Sequence, residues 1–207
     1  MAFPCLAVFI TFCLILFFRY RYLDEKRLSQ EQDFFDRERQ ASTTIGKISE
    51  SDYEVIPLSK FPFNLCEDPS MLEMENEIQA LSKEKLLDLT GISNTDVKLK
   101  YGVNHFDEAV AAGEKYDELL GLLVKYAIGL DDHGFSSESS VMLEYLIDQD
   151  CDIKAAWIAL GKFYATNSSF DKLTDLYNKV DSSKLTIKNA TKEQLAAMIP
   201  ETPQTEQ

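Results

Sequence analysis

Side chains that could bind a metal or act as nucleophiles are few in this sequence, and their spacing matches no common reactive motif. His105 and His133 are the only histidines of the 207 residues, and neither belongs to an HExxH pair or a comparable metal-binding spacing. The sequence also lacks the glycine-rich loops that bind phosphate and the G-x-S-x-G turn of serine hydrolases. We therefore expect solvated polar roles for both histidines.

Carboxylates offer a second possible chemistry, because a pair of them can hydrolyse a glycosidic bond. Asp131 and Asp132 are adjacent, and Asp148 and Asp150 are close in sequence, but 35 acidic residues make such pairs frequent by chance. Both pairs also lie where helices are expected to end in polar loops. The sequence predicts no catalytic residue, no cofactor and no metal site, and it indicates that the protein is not an enzyme.

The four cysteines are Cys5, Cys13, Cys66 and Cys151, and none forms a CxxC pair. Neither a disulfide framework nor a zinc site is expected from this spacing. A thiol in apolar surroundings behaves as a small hydrophobic group, so we predict reduced, buried cysteines.

The balance of charge argues against binding to nucleic acid. The chain has 21 basic and 35 acidic side chains, and its formal net charge is −14. Proteins that bind phosphate backbones gain affinity from cationic side chains, which is the opposite balance. An acidic surface suits solubility, with recognition of basic peptides as the alternative.

The most specific pattern surrounds the only tryptophan of the chain. Trp157, Leu160, Gly161 and Tyr164 fit W-x2-L-G-x2-Y, the first-helix pattern of a tetratricopeptide repeat. In such a helical hairpin the bulky residues fill the space between helices, and the small residue lets the partner backbone come close. Trp157 is therefore predicted to pack in the core and not to form the floor of a ligand pocket.

A weaker copy of this pattern precedes it by about 34 residues, the length of a tetratricopeptide repeat. Its first-helix positions are Leu123, Tyr126, Ala127 and Leu130. The turn segments DDHGF and ATNSSF recur at the same interval. The sequence thus predicts two degenerate repeats, at about residues 115–146 and 154–180.

Two repeats bury too little surface to form a stable domain alone. The helical period begins at Pro69, and we expect a domain over residues 69–199 in which the flanking helices cap the repeats. Thr191 and Gln194 are predicted to form the capping box of the last helix. Residues 200–207 are predicted to be a disordered tail.

The amino terminus has the composition of a membrane anchor. Residues 2–18 carry no charge, and about 17 helical residues span roughly 25 Å, near the lower limit for a hydrocarbon core of about 30 Å. We predict that residues 1–23 form a single-pass anchor in the lipid bilayer of the cell membrane. Arg19, Arg21, Lys26 and Arg27 follow the apolar run, so the positive-inside rule places the carboxyl-terminal domain in the cytoplasm.

Two segments connect the anchor to the domain. Residues 24–50 have opposite charges at helical spacings, such as Asp33 and Arg37, and predict a charged helical stalk. Residues 51–68 contain DYEVIPLSKFPFNL, whose prolines are incompatible with a regular helix. This extended linker could lie against the helical domain, form an edge strand or remain mobile. The predicted fold class is all-α, with a transmembrane helix, a stalk and a domain of helical hairpins.

Several segments, in this order, resemble a group of uncharacterised single-pass membrane proteins from clostridial bacteria. The similarity lies in FFDRERQAS, DYEVIPLSKFPF, LLDLTGISNTDVKLKYG and the two hairpins, and it covers nearly the whole chain. The resemblance implies a tetratricopeptide-like domain on a membrane tether. It implies no activity and no functional residues.

The sequence leaves two main hypotheses for function. In the first, the chain is a membrane-anchored adaptor or scaffold that faces the cytoplasm and binds a protein or peptide, with Lys125 and Lys162 as candidate contacts. In the second, it is a structural subunit that docks on a larger membrane complex. An enzyme, or a receptor resembling those of organellar import, is the less favoured alternative.

Overall fold

The computed structural model describes residues 3–200, with side chains from residue 8 onward, and this part of the chain is all-α. Apart from one isolated bridge between Ile45 and Gly102, no β-structure occurs in it. The prediction of an all-α protein is confirmed. The α-helices within these bounds are α1 (Phe3–Thr43), α2 (Pro69–Leu81), α3 (Asn94–Tyr101), α4 (Phe106–Asp132), α5 (Ser136–Asp148), α6 (Lys154–Thr166), α7 (Phe170–Ser182) and α8 (Lys188–Ala196).

The chain divides into two compact units. One consists of Met1–Lys47 with Ser93–Phe106, and the other of Ile48–Ile92 with Asp107–Gln207. The first contains α1 and α3, and the second contains α2, α5 to α8 and nearly all of α4.

Helix α1 runs without a break through the predicted anchor and most of the predicted stalk, and it ends at Thr43, before residue 50. The hydroxyls of Ser42, Thr43 and Thr44 donate hydrogen bonds to carbonyl oxygens one turn earlier, a pattern that competes with regular helix geometry. The chain then turns at Gly46. Its backbone N–H and carbonyl oxygen each form a 3.1 Å hydrogen bond with the side-chain amide of Asn104.

No helix in the part of the chain that the structure describes has both the length and the apolar character needed to cross a membrane. The predicted anchor begins in residues 1–7, whose side chains lie outside the described part. The large apolar side chains of the following turns of α1 are exposed. They include Val8, Phe9, Ile10, Phe12, Leu14, Ile15, Phe17 and Phe18.

The second unit repeats its helix boundaries at a constant interval. The ends of α4 and α6 (132 and 166), the starts of α5 and α7 (136 and 170), the ends of α5 and α7 (148 and 182) and the starts of α6 and α8 (154 and 188) are each 34 residues apart. Helix α8 packs on both α6 and α7. It therefore occupies the position of the first helix of a further repeat.

The turns inside the two hairpins repeat as well. Gly134 and Ser168, also 34 residues apart, have positive φ angles of 89° and 55°. The backbone N–H that follows each of them donates a 2.8 Å hydrogen bond to a carbonyl five residues earlier, that of Leu130 in the first hairpin and of Tyr164 in the second. These bonds satisfy carbonyl groups at the ends of α4 and α6.

The predicted capping box at Thr191 is wrong. Helix α8 begins at Lys188, so Thr191 lies one turn inside it. Its hydroxyl donates a 2.8 Å hydrogen bond to the carbonyl oxygen of Ile187. The 34-residue interval sets the start of this helix, and the local capping pattern does not.

Residues 53–63 lie extended against the helices of the second unit, which was one of the three alternatives for this segment. The N–H of Glu54 donates a 2.8 Å hydrogen bond to the carbonyl oxygen of Leu86. Ile56 and Phe61 are buried in the main core, and Leu58–Lys60 forms a single 3₁₀ turn.

Candidate peptide-docking grooves

The helical domain holds a stretch of its own chain in the way a receptor holds a peptide. The ring of Phe61 meets that of Tyr145 on α5 edge to face at 5.1 Å, and Phe63 lies 5.4 Å from the ring of Tyr126 on α4. The two phenylalanines are two residues apart, so an extended backbone projects both side chains to one side. We call the surface formed by Glu75, Tyr126 and Tyr145 the first groove.

Polar contacts fix the backbone of residues 61–64 in the first groove. The hydroxyl of Tyr126 lies 2.6 Å from Oε1 of Glu75 and 3.1 Å from the carbonyl oxygen of Pro62. The same carboxylate oxygen accepts a 2.9 Å hydrogen bond from the N–H of Asn64. Only 3% of Glu75 is exposed. Burial, followed by the hydrogen bond to Glu75, raises the pKa of Tyr126, so its hydroxyl keeps its proton.

A second groove is formed by α5, α6 and α7 and encloses a cavity of about 280 Å³. Its apolar base includes Ile147, Leu160 and Leu176, one from each helix. Tyr164 lies beside this base, and its hydroxyl donates a 2.6 Å hydrogen bond to Oε1 of Glu144. Burial, and then the contact with Glu144, raises the pKa of Tyr164.

Charged side chains form the rim of the second groove. Lys172 lies 3.3 Å from Glu144, and Lys179 lies 2.5 Å from Asp148. Asp175 also lines the cavity, and it takes part in none of the ion pairs formed among the described residues. The rim thus carries three carboxylates against two ammonium groups.

The two grooves occupy equivalent places in successive repeats. Leu160 follows Tyr126 by 34 residues, and Lys179 follows Tyr145 by the same interval. The positions whose side chains contact Phe63 and Phe61 in the first groove therefore line the cavity of the second. In each groove a buried tyrosine of the central helix donates its hydroxyl to a glutamate 2.6 Å away.

The eight residues of the two predicted repeat cores are all buried, namely Leu123, Tyr126, Ala127, Leu130, Trp157, Leu160, Gly161 and Tyr164. Trp157 has no exposed surface, and its indole N–H donates a 3.0 Å hydrogen bond to the carbonyl oxygen of Cys151. Gly161 faces α8, since a β-carbon there would overlap Cδ2 of Leu195.

The two lysines predicted as peptide contacts, Lys125 on α4 and Lys162 on α6, are exposed. Neither lines the cavity of the second groove, and neither contacts residues 61–64 in the first. Sequence reasoning did not identify Glu75, Tyr145 or Glu144. The available signal was the alternation of aromatic residues around Pro62 in KFPFN, which is typical of a segment that binds through one face.

The thiols and imidazoles of the described residues form no reactive constellation. No group of three or more His, Cys, Asp and Glu side chains in this part of the chain could hold a metal ion. Cys151 is buried, and desolvation raises its pKa to about 11. Cys66 is half-buried and Cys13 is exposed, so the prediction of buried thiols is wrong for Cys13, which lies on the exposed surface of α1.

The grooves themselves suggest the kind of ligand. Both combine apolar side chains at the base with a few hydrogen-bonding groups, which suits an extended polypeptide. Comparison of the chain with protein-family models, curated proteins and solved structures gives no match.

Proposed function

We propose that the chain is a membrane-anchored, cytoplasm-facing adaptor whose tetratricopeptide-like domain binds segments of other proteins and has no catalytic activity. One observation carries this proposal. The domain already binds an extended segment, residues 61–64, through aromatic contacts and backbone hydrogen bonds in the first groove. A scaffold that binds its own chain in this way has the chemistry to bind another.

The constant interval between helix boundaries supports the tetratricopeptide-like part of the proposal. Tetratricopeptide repeats are 34 residues long, and four pairs of boundaries in the second unit are separated by that number. The W-x2-L-G-x2-Y residues of α6 are buried, as packing between the helices of such a repeat requires.

The apolar character of residues 2–18 supports the membrane anchor. From Val8 onward the large side chains of this run are exposed on α1. Removing one such side chain from water stabilises by about 1.5–3 kcal/mol, so a row of them favours lipid. Arg19, Arg21, Lys26 and Arg27 follow the run, which supports a cytoplasmic domain.

Fractionation and pulldown test the proposal. The full chain with a carboxyl-terminal tag should remain in bacterial membranes after an alkaline wash, and protease should cleave the tag only after the cells are opened. Proteins should then be captured from solubilised membranes with the full chain and with a chain that lacks residues 2–18. Partners retained by both chains support the adaptor. Loss of every partner with the shortened chain supports the alternative, a structural subunit assembled within the bilayer.

A further inference from the structure

We infer that the second groove binds an extended peptide of another protein, with a basic residue followed by an aromatic–proline–aromatic core. This inference rests on the proposed function, and it names the site and the ligand class. The model for the ligand is the chain's own KFPF, residues 60–63, in the first groove.

The first step is the position of the groove. Leu160 and Lys179 line it at the places where Tyr126 and Tyr145 contact Phe63 and Phe61 one repeat earlier. The two grooves also share α5, because Glu144 and Asp148 line both the cavity of the second groove and a hollow beside Phe61. The second groove therefore continues the surface on which the chain's own segment lies.

The second step is the apolar base. Ile147, Leu160 and Leu176 present aliphatic surface at the bottom of a cavity of about 280 Å³. An aromatic ring that enters this cavity removes apolar surface from water on both sides of the contact. A polar side chain would lose hydration there and find few partners at the base.

The third step is the charge of the rim. Lys172 and Lys179 are each paired with a carboxylate, which leaves Asp175 as the unpaired charge. In the chain's own segment Lys60 lines a hollow with Glu144 and Asp148, so a basic residue precedes the first aromatic ring at the same acidic surface. A ligand with a lysine or arginine in this position complements Asp175.

The fourth step is the source of the ligand. The segment that fills the first groove is held there by Tyr126, Tyr145 and Glu75. Residues 201–207 have the sequence ETPQTEQ, with no aromatic and no basic side chain. The chemistry of the second groove therefore fits a segment of another protein better than the carboxyl terminus of this chain.

Fluorescence anisotropy of a labelled peptide tests the inference on the full chain in detergent micelles. The probe is PLSKFPFNL, the sequence of residues 57–65. Asp175→Arg should weaken binding about three- to tenfold, because it replaces an attraction with a repulsion at the rim. Glu193→Arg makes the same charge change at an exposed site on α8, outside the groove, and should leave binding unchanged.

Two further arms separate a specific site from a general effect of charge. Lys179→Tyr gives the second groove the aromatic residue that Tyr145 supplies in the first, and it should tighten binding several-fold. A probe with glutamate in place of its lysine should bind Asp175→Arg better than the unaltered chain. Circular dichroism of each variant verifies that the helices are intact.

Three results would overturn the inference. The first is the absence of binding by the unaltered chain, and the second is binding that Asp175→Arg leaves unchanged. The third is binding that increases with Phe63→Ala, which vacates the first groove, and is insensitive to Asp175→Arg, because the probe would then occupy the first groove. Partners retained in the pulldown despite any of these results would leave the adaptor proposal standing, so the two failures are distinguishable.

Discussion

The indole N–H of Trp157 donates a hydrogen bond of 3.0 Å to the carbonyl oxygen of Cys151, six residues earlier in the chain. Both residues are buried, and the bond ties the first turn of α6 to the loop that leaves α5. Trp157 thus serves the packing of the second repeat, and its ring has no surface that a ligand could reach.

Replacement of this side chain should separate its packing from its hydrogen bond. Trp157→Ala should lower the free energy of unfolding by about 3–5 kcal/mol through loss of buried surface and formation of a cavity. Trp157→Phe keeps part of the packing but leaves the Cys151 carbonyl without its donor, so we expect a smaller loss. Urea unfolding followed by circular dichroism measures both, and equal losses for the two variants would contradict this division.

Two glycines on helices should respond in opposite directions to alanine. Gly161→Ala should destabilise by about 1–3 kcal/mol, because the new methyl group would overlap Leu195. Gly121→Ala is the matched control, since no atom lies within 4 Å of the added β-carbon, and it should stabilise α4 by about 0.5–1 kcal/mol. Thermal unfolding compares the two. Partial rescue of Gly161→Ala by Leu195→Ala would assign the effect to that contact.

The two tyrosine–glutamate pairs should differ in their contribution to stability. Tyr126→Phe removes the donor from Glu75, which is buried, and we expect a loss of about 1–3 kcal/mol. Tyr164→Phe removes the donor from Glu144, whose side chain is 40% exposed and also pairs with Lys172, so its loss should be smaller. Denaturant midpoints of the two variants test this order, and a reversed order would contradict it.

Stability should fall in alkaline solution. Burial raises the pKa of Cys151 to about 11 from an ordinary 9.0, and burial likewise raises the pKa of Tyr116, Tyr126 and Tyr164. Above pH 9 the unfolded chain releases the Cys151 proton while the folded chain retains it, so the free energy of unfolding decreases as pH rises from 9 toward 11. Melting temperatures at pH 7, 9 and 10 measure the decrease. Cys151→Ala should show a shallower decrease, and a flat profile for the unaltered chain would exclude this cause.

The repeat could be predicted from sequence because its signal is periodic and local. Trp157, Leu160, Gly161 and Tyr164 recur within two helical turns, and the weaker copy around Tyr126 stands 34 residues earlier. Burial of an apolar helix face imposes this spacing directly on the sequence. Membrane insertion, topology and binding remain predictions of the same kind, drawn from apolar and charged runs.

The first groove could not be predicted, because its contacts join residues that are distant in sequence. Glu75 and Tyr126 are 51 residues apart, and Tyr126 and Pro62 are 64 apart. Each of these residues is unremarkable in its local window. The start of α8 was missed for a related reason, since its position follows from packing on α6 and α7 and not from a local capping signal.

The constant interval between helix boundaries also constrains how such a chain can change over evolution. Duplicating or deleting one whole 34-residue unit would bring each helix back onto an equivalent neighbour, with its apolar face still turned inward. An insertion of any other length within a helix would rotate every following side chain by about 100° per residue and expose that face. Among descendants of this gene, length differences in the domain should therefore fall in loops or come in multiples of one unit.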